Sequence, residues 1–301
     1  MKNLIESLLS QYKTENSGVL ADYIPELAKV NPDLFAISVT NIKGQVFSCG
    51  DNLQDFTLQS TSKPFVYGLA LSLHGPQYVH QRVGIEPSGE AFNSIIELEK
   101  RTHLPFNPMI NSGAIAIANQ IQSDENHRVD KVLNLFTDLT NRTVKINYQV
   151  YESEKKTAHR NRAIAHLLRH FNVIHDDIEE TLDLYFKQCS IMVNVDNLSL
   201  MAATLANQGI NPVTQKKIYS SIDNQKILSL MFTCGMYDTA GEWAYTVGLP
   251  GKSGVSGAMI AVVPGQYGIA VYSPLINDHG HSIRGLKVLE DLSQKLKLSL
   301  F

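Results

Sequence analysis

Ala258-Met259-Ile260-Ala261-Val262-Val263-Pro264-Gly265-Gln266-Tyr267-Gly268-Ile269-Ala270-Val271-Tyr272 reads as two apolar strands joined by a Pro-Gly turn. A lone hairpin is not a sheet, and its partners lie about 200 residues earlier. Leu34 to Val39 is a β-branched and apolar run, and Asn41-Ile42-Lys43-Gly44 turns the chain into Gln45 to Cys49. Between these hairpins the helical period dominates. Val129, Val132, Leu133, Phe136 and Leu139 share one face, as do Ile164, Leu167, Leu168 and Phe171. Ile178, Leu182, Tyr185 and Cys189 do the same after caps at Asp176 and Asp177, and Leu200 to Asn207 is closed by Gly209. Ala244 to Val247 is a further strand candidate, and Ile283 to Leu298 a final amphipathic helix. Strands, many helices, then strands again predict an α+β fold, with an antiparallel sheet flanked by helices and a large helical subdomain. The expectation is one domain over 1–301, with a sheet part at about 1–59 and 233–301 and a helical part at about 60–232.

The chain has a formal charge of −3 and gathers its basic residues in no aromatic-rich patch, which argues against nucleic acid and anionic membrane as partners. Its first residues form an amphipathic helix, with Leu4, Ile5, Leu8, Leu9 and Tyr12 on one face, rather than a signal peptide. No apolar run reaches the roughly 18 residues that a membrane span needs. Cys49, Cys189 and Cys234 have no metal-like spacing and read as buried free thiols of a reducing compartment, so the cytoplasm is the expected location.

Ser60-Thr61-Ser62-Lys63 opens the apolar run Pro64 to Leu71, which reads as a buried helix. Residues three apart share a helix face, so Ser60 and Lys63 can meet. Pro64 cannot donate to the Ser60 carbonyl and its ring crowds that oxygen, so regular helix is expected to start at Ser60. The hydroxyl then sits at a helix N-terminus, where free N–H groups and the dipole favour an oxyanion. A serine needs a proton acceptor, and a lysine can serve when burial lowers its pKa. The Ser-x-x-Lys pattern also occurs at Ser10/Lys13 and Ser153/Lys156, so it decides nothing alone.

Three other segments combine polar groups with tight backbone. Asn107-Pro108-Met109-Ile110-Asn111 precedes a helix of small residues, where Asn111 could be a functional amide or an ordinary cap. Cys234-Gly235-Met236-Tyr237-Asp238 offers a tyrosine that could equally be a satisfied core residue. Lys252-Ser253-Gly254-Val255-Ser256-Gly257 opens an apolar strand, its glycines fitting either a ligand or a bulge. With Ser60 these resemble the layout of serine β-lactamases and penicillin-binding proteins.

A narrower resemblance covers nearly the whole chain. Ala21 to Ala28, Gln59 to Lys63, Asn107 to Ala114, Ser153-Glu154, Arg160-Asn161, Met201 to Asn207, Cys234 to Asp238 and Gly248 to Val255 are similar to motifs of the glutaminase family. The resemblance implies a β-lactamase-like fold that hydrolyses L-glutamine to L-glutamate and ammonia, with no metal or organic cofactor, in a homo-oligomer (dimer or tetramer). It implies Ser60 as nucleophile, Lys63 as the group that takes and returns protons, and Tyr237 as a second proton-transfer group. It further implies that Tyr23, Gln59, Asn111, Glu154, Asn161, Tyr185 and Val255 hold the substrate, the Ser60 and Val255 N–H groups forming the oxyanion site. His159 stands where the family pattern has an acidic residue, and Thr61-Ser62 is a variant filling of the nucleophile motif. A zwitterionic amino acid needs an anion for its ammonium and donors for its carboxylate, which Glu154 and the amides and phenols can supply. Asp278-His279-Gly280-His281 reads as a solvent-facing loop rather than a metal site, and Cys234 as a buried thiol.

Overall fold

The computed structural model describes residues 1–89, 91–94, 98, 103–121 and 127–301, which include every residue assigned to the site. The chain starts with helix α1 (Lys2–Tyr12), the hairpin β1 (Ala36–Asn41) and β2 (Val46–Gly50), and the short strand β3 (Phe56–Thr57). A 3₁₀ turn at Gln59–Ser62 leads into α2 (Lys63–Val79), which breaks at Gly75-Pro76, where Gly75 takes φ 76°. The helical segment continues through α3 (Asn111–Gln120), α4 (Arg128–Thr140), β4 (Lys145–Ile146), α5 (Tyr148–Thr157), α6 (His159–His170), α7 (Ile178–Cys189), β5 (Ile191–Val193), α8 (Val195–Ala206) and α9 (Ser221–Cys234). Last come α10 (Ala240–Thr246), β6 (Gly251–Ser253), β7 (Ala258–Val263), β8 (Tyr267–Tyr272) and α11 (Ile283–Leu296). No helix among the described residues is long and apolar enough to cross a membrane.

The late hairpin is the middle of the main sheet, whose order is β2-β1-β8-β7-β6 with every pair antiparallel. β1 joins β8 in the register Ala36↔Tyr272 to Asn41↔Tyr267, so the two ends of the chain complete one sheet. Side chains alternate between its faces as the strand period requires. Ile37, Val39, Met259, Ala261, Ile269 and Val271 join Ile5 and Leu8 of α1 and Val288, Leu289 and Leu292 of α11 in one core. Ala36, Ala258, Ile260, Val262 and Ala270 belong to the other core, which runs through the helical segment.

Helix α8 packs on that second face although it lies inside the helical stretch, so the boundary between sheet part and helical part runs across it. Hydroxyls help to seat it: Ser38 and Thr40 lie 2.9 and 2.6 Å from Ser199 Oγ, and Ser38 donates to Asp196 at 2.7 Å. A small sheet, β3-β5-β4, adds strands that the sequence reading did not include. Ala244 to Val247 is not a strand. It closes α10 instead, where Trp243 is buried and donates its indole N–H to Leu249 O at 2.6 Å. Burying that ring overrides the strand preference of the aromatic and β-branched residues beside it.

The backbone of α8 meets β8 at Gly268, where a Cβ would lie 2.0 Å from Ala203 N and 2.4 Å from Ser199 O. Both obstacles are backbone, so the helix must move away from the sheet to accept one. Gly268→Ala is expected to cost about 1–3 kcal/mol of stability. Urea unfolding should show a lower midpoint at unchanged slope, and a wild-type midpoint would refute this account of the packing.

Candidate active site

The 3₁₀ turn at Gln59–Ser62 is the local answer to Pro64. The Ser60 carbonyl, denied a donor four residues on, accepts the N–H of Lys63 three residues on. Regular α-helix therefore begins at Lys63 rather than at Ser60, and the serine sits in the tighter turn ahead of it. Gln59, just before it, holds φ 48°. A left-handed conformation in a residue with a side chain is costly and persists only where the surroundings enforce it.

The turn borders a cleft that eight of the ten expected residues line: Tyr23, Gln59, Ser60, Asn111, Glu154, Asn161, Tyr185 and Val255. The other two lie beside it. Lys63 is buried and donates to Asn111 Oδ1 at 2.6 Å. Tyr237 is buried, its ring centroid 5.9 Å from Lys63 Nζ. Asn111 is not a helix cap. It is the first residue of α3, and its amide is shared among Lys63, Tyr185 Oη (3.3 Å) and Asn161 Oδ1 (3.0 Å).

Burial sets the charges here. It lowers the Lys63 ammonium from 10.5 to about 8 against the opposing pull of Cys189 and Glu154. It raises Glu154 from 4.5 to about 8, opposed by a hydrogen bond with Gln59 and by the Lys63 charge. Glu154 Oε2 has no partner although it is shut off from bulk water. An orphaned buried carboxyl oxygen in a polar cleft is a receptor for a cation or donor brought by a ligand. Tyr23 exposes half of its surface, yet its phenol end is buried in the cleft beside Glu154, and burial drives its pKa up. Burial raises Tyr185 likewise.

Val255 follows β6 in the loop that presses against the Gln59–Ser62 turn. A Cβ on Gly254 would meet Leu58 O at 3.0 Å and Thr61 N at 3.3 Å, so only glycine lets the two backbones approach this closely. Val255, the next residue, lines the same cleft as Ser60.

The reading from sequence gave no site role to three buried groups near Tyr237, namely Lys252, Ser253 and His281. Lys252 Nζ donates to Tyr237 Oη at 2.6 Å and to Ser253 O at 2.8 Å, and sits 4.0 Å above the phenol ring centroid. Burial holds its pKa well below the ordinary lysine value, with the Lys63 charge adding to the shift. His281, expected to face water, is 1% exposed and contacts Ser253 Oγ. The Lys252-Ser253 motif was a visible signal for two of these; nothing in the spacing placed His281. Phe92, Asn93, Thr157 and Arg160 complete the rim of the cleft.

A family model described as Glutaminase matches residues 18–301 of this chain. The chain belongs to the glutaminase family. A glutaminase from Trichormus variabilis is 54% identical over 299 residues, covering 99% of this chain and 89% of that relative. A solved structure of the probable glutaminase ybaS superposes with a TM-score of 0.97 at 38% identity, covering 100% of this chain and 97% of that one. A crystal structure of Mglu in its glutamate form gives a TM-score of 0.94 at 38% identity, over 98% of this chain and 68% of that one. The sheet with its helices is accordingly the β-lactamase-like fold of this glutaminase family.

Glu154 gives a test of the cleft's electrostatics. In the fold it keeps its proton up to about pH 8, against 4.5 for an ordinary glutamate. The folded state therefore binds more protons across that interval. The contribution of this group to stability is fully present below about 4.5 and is lost as pH rises through about 8. Glu154→Gln lacks this titration, so its stability relative to wild type should grow between pH 5 and pH 8.5 in urea titrations. A constant difference across that range would contradict the burial-driven shift.

Proposed function

We propose that this glutaminase hydrolyses the side-chain amide of free L-glutamine through a glutamyl-enzyme ester on Ser60. One observation carries the reading: the Ser60 turn and Glu154, whose Oε2 has no partner, share a single cleft with Asn111, Asn161, Tyr185 and Tyr23. That set offers a nucleophile at one end and receptors for an α-amino acid at the other.

In this reading Glu154 ionises as it receives the substrate ammonium, which supplies the partner its buried oxygen lacks. Asn161, Asn111 and the phenols of Tyr23 and Tyr185 hold the α-carboxylate, and Gln59 steadies Glu154. Ser60 Oγ attacks the side-chain amide carbon while its proton passes to the Lys63–Tyr237 pair. The carbonyl oxygen becomes the oxyanion, held by the Ser60 and Val255 N–H groups. As the tetrahedral intermediate collapses, the C–N bond breaks, the proton goes to the leaving nitrogen and ammonia departs. Water then attacks the ester, returns a proton to Ser60 through the same pair, and releases L-glutamate. Relatedness to a protein solved in a glutamate form supports the product assignment.

We also read 1–301 as a single domain and the protein as a cytoplasmic homo-oligomer. Three buried thiols without a disulfide suit a reducing compartment, and the exposed rings of Tyr245 and Phe301 offer apolar surface for a second copy.

The central experiment measures ammonia and glutamate from purified protein with L-glutamine, L-asparagine and the Ser60→Ala variant. Release from glutamine alone, lost in Ser60→Ala with the fold intact, is expected; full activity in the variant would end the serine mechanism. Because only the neutral amine of Lys63 accepts a proton, kcat/KM should climb with pH through about 8. A flat profile there would remove Lys63 from that role. Glu154→Gln should raise KM for glutamine by about tenfold or more, as expected for losing a charged hydrogen bond.

A further inference from the structure

We infer that Gln188 is a positioning residue for the reaction: through the Ser62 hydroxyl it fixes the peptide that links Gln59 to Ser60, and with it the direction of the Ser60 N–H. The inference rests on the Ser60 chemistry proposed above, in which that N–H holds the oxyanion.

Helix α7 carries Tyr185 to the wall of the cleft. Gln188 follows three residues later on the same side of the helix and is buried. Its Nε2 donates to Ser62 Oγ at 2.9 Å, and Ser62 Oγ donates to Gln59 O at 2.7 Å. A carbonyl only accepts, so the single proton of the serine hydroxyl lies towards Gln59 and a lone pair faces the amide. The orientation of the amide follows, because only its nitrogen end has a proton to give. The chain therefore runs one way, from the Gln188 amide through the Ser62 hydroxyl to the Gln59 carbonyl, and each bond polarises the next.

No peptide bond among the described residues is cis. In a planar trans unit the Gln59 C=O and the Ser60 N–H point in opposite directions. Tying the carbonyl to Ser62 thus aims the N–H out of the N-terminal end of the turn, where helical N–H groups have no partner in the chain. Ser60 borders the cleft there. The same tie restrains Gln59, whose φ of 48° needs surroundings that enforce it. A second tie lies on the other side of the turn. Strand β5 begins three residues after Gln188, and Ile191 O accepts the Leu58 N–H at 2.9 Å. The corner between α7 and β5 grips the chain both before and after the Gln59–Ser60 peptide.

Stability does not account for this amide. Gln188 Oε1 is shut off from water and has no partner among the described residues. A half-satisfied buried amide is less favourable than an apolar side chain of the same length. Its nitrogen end is the part with a use, and that use is the bond to Ser62.

The test compares steady-state kinetics on L-glutamine for wild type, Gln188→Met, Ser62→Ala, the double variant and Ser60→Ala, with urea midpoints alongside. Methionine keeps the length of Gln188 and removes its donor. Gln188→Met should lose about tenfold or more in kcat with KM within about twofold, a part of what removing an oxyanion donor outright costs. Its urea midpoint should stand at or above wild type, because the unpaired oxygen leaves with the amide. Ser62→Ala removes the middle of the chain and should reproduce the kcat loss, so it carries the test even if Gln188→Met folds poorly. Both residues act through one carbonyl, so the double variant should be at most about threefold slower than Ser62→Ala. Wild-type kcat in Ser62→Ala or in folded Gln188→Met, a loss confined to KM, or losses that multiply in the double variant would each overturn the inference. Activity surviving in Ser60→Ala would instead overturn the serine mechanism beneath it, so the two failures are distinguishable.

Discussion

The pairing of β1 with β8 joins residues 36–41 to 267–272, and the rest of the architecture hangs on it. Without that ladder the late hairpin would have only short β6 beside it, and α8 would have no complete surface to rest on. With it, α1 and α11 cover one face and α8 the other, and the chain between the hairpins is held as a helical layer against the sheet. The sheet edge then carries β6 to the Gln59–Ser62 turn, where Gly254 allows backbone to touch backbone. Contacts between segments so far apart in sequence are entropically expensive to form, which favours slow folding.

The site stores cost that this scaffold has to sustain. Gln59 and Tyr237 both lie at positive φ, and Lys63, Glu154, Lys252 and His281 are all buried ionisable groups. Burial pushes each of the four towards its neutral form. The two lysines are not equivalent. Lys63 bonds to Asn111, which lines the cleft, whereas Lys252 bonds to Tyr237 and the β6 backbone. Both approach the Tyr237 ring, Lys63 Nζ at 5.9 Å and Lys252 Nζ at 4.0 Å from its centroid.

Much of this was legible in the chain. The two hairpins, the terminal amphipathic helices and the Asp177 cap at α7 appear where periodicity and turn chemistry place them. Pro64 revealed the irregular start of α2 through a steric rule, though it produced a 3₁₀ turn rather than a helix beginning at Ser60. Ala244 to Val247 misled because strand preference there yields to the burial of Trp243. His281 misled for a similar reason: its flanking Asp278 and glycine look like exposed loop, yet the loop folds back over β6.

Local chemistry, then, is what the amino-acid order determined by itself: where most strands and helices can form, where Pro64 disturbs the start of a helix, and which motifs mark a glutaminase. These depend on neighbours within a few residues or on long matched motifs. Tertiary structure alone decided the rest. It shut Glu154 away from water with an unpaired oxygen, brought Lys252 within 2.6 Å of Tyr237, and turned His281 inward. Desolvation and hydrogen-bond direction depend on every atom packed around a group, and those atoms come from segments that only the closed sheet brings together.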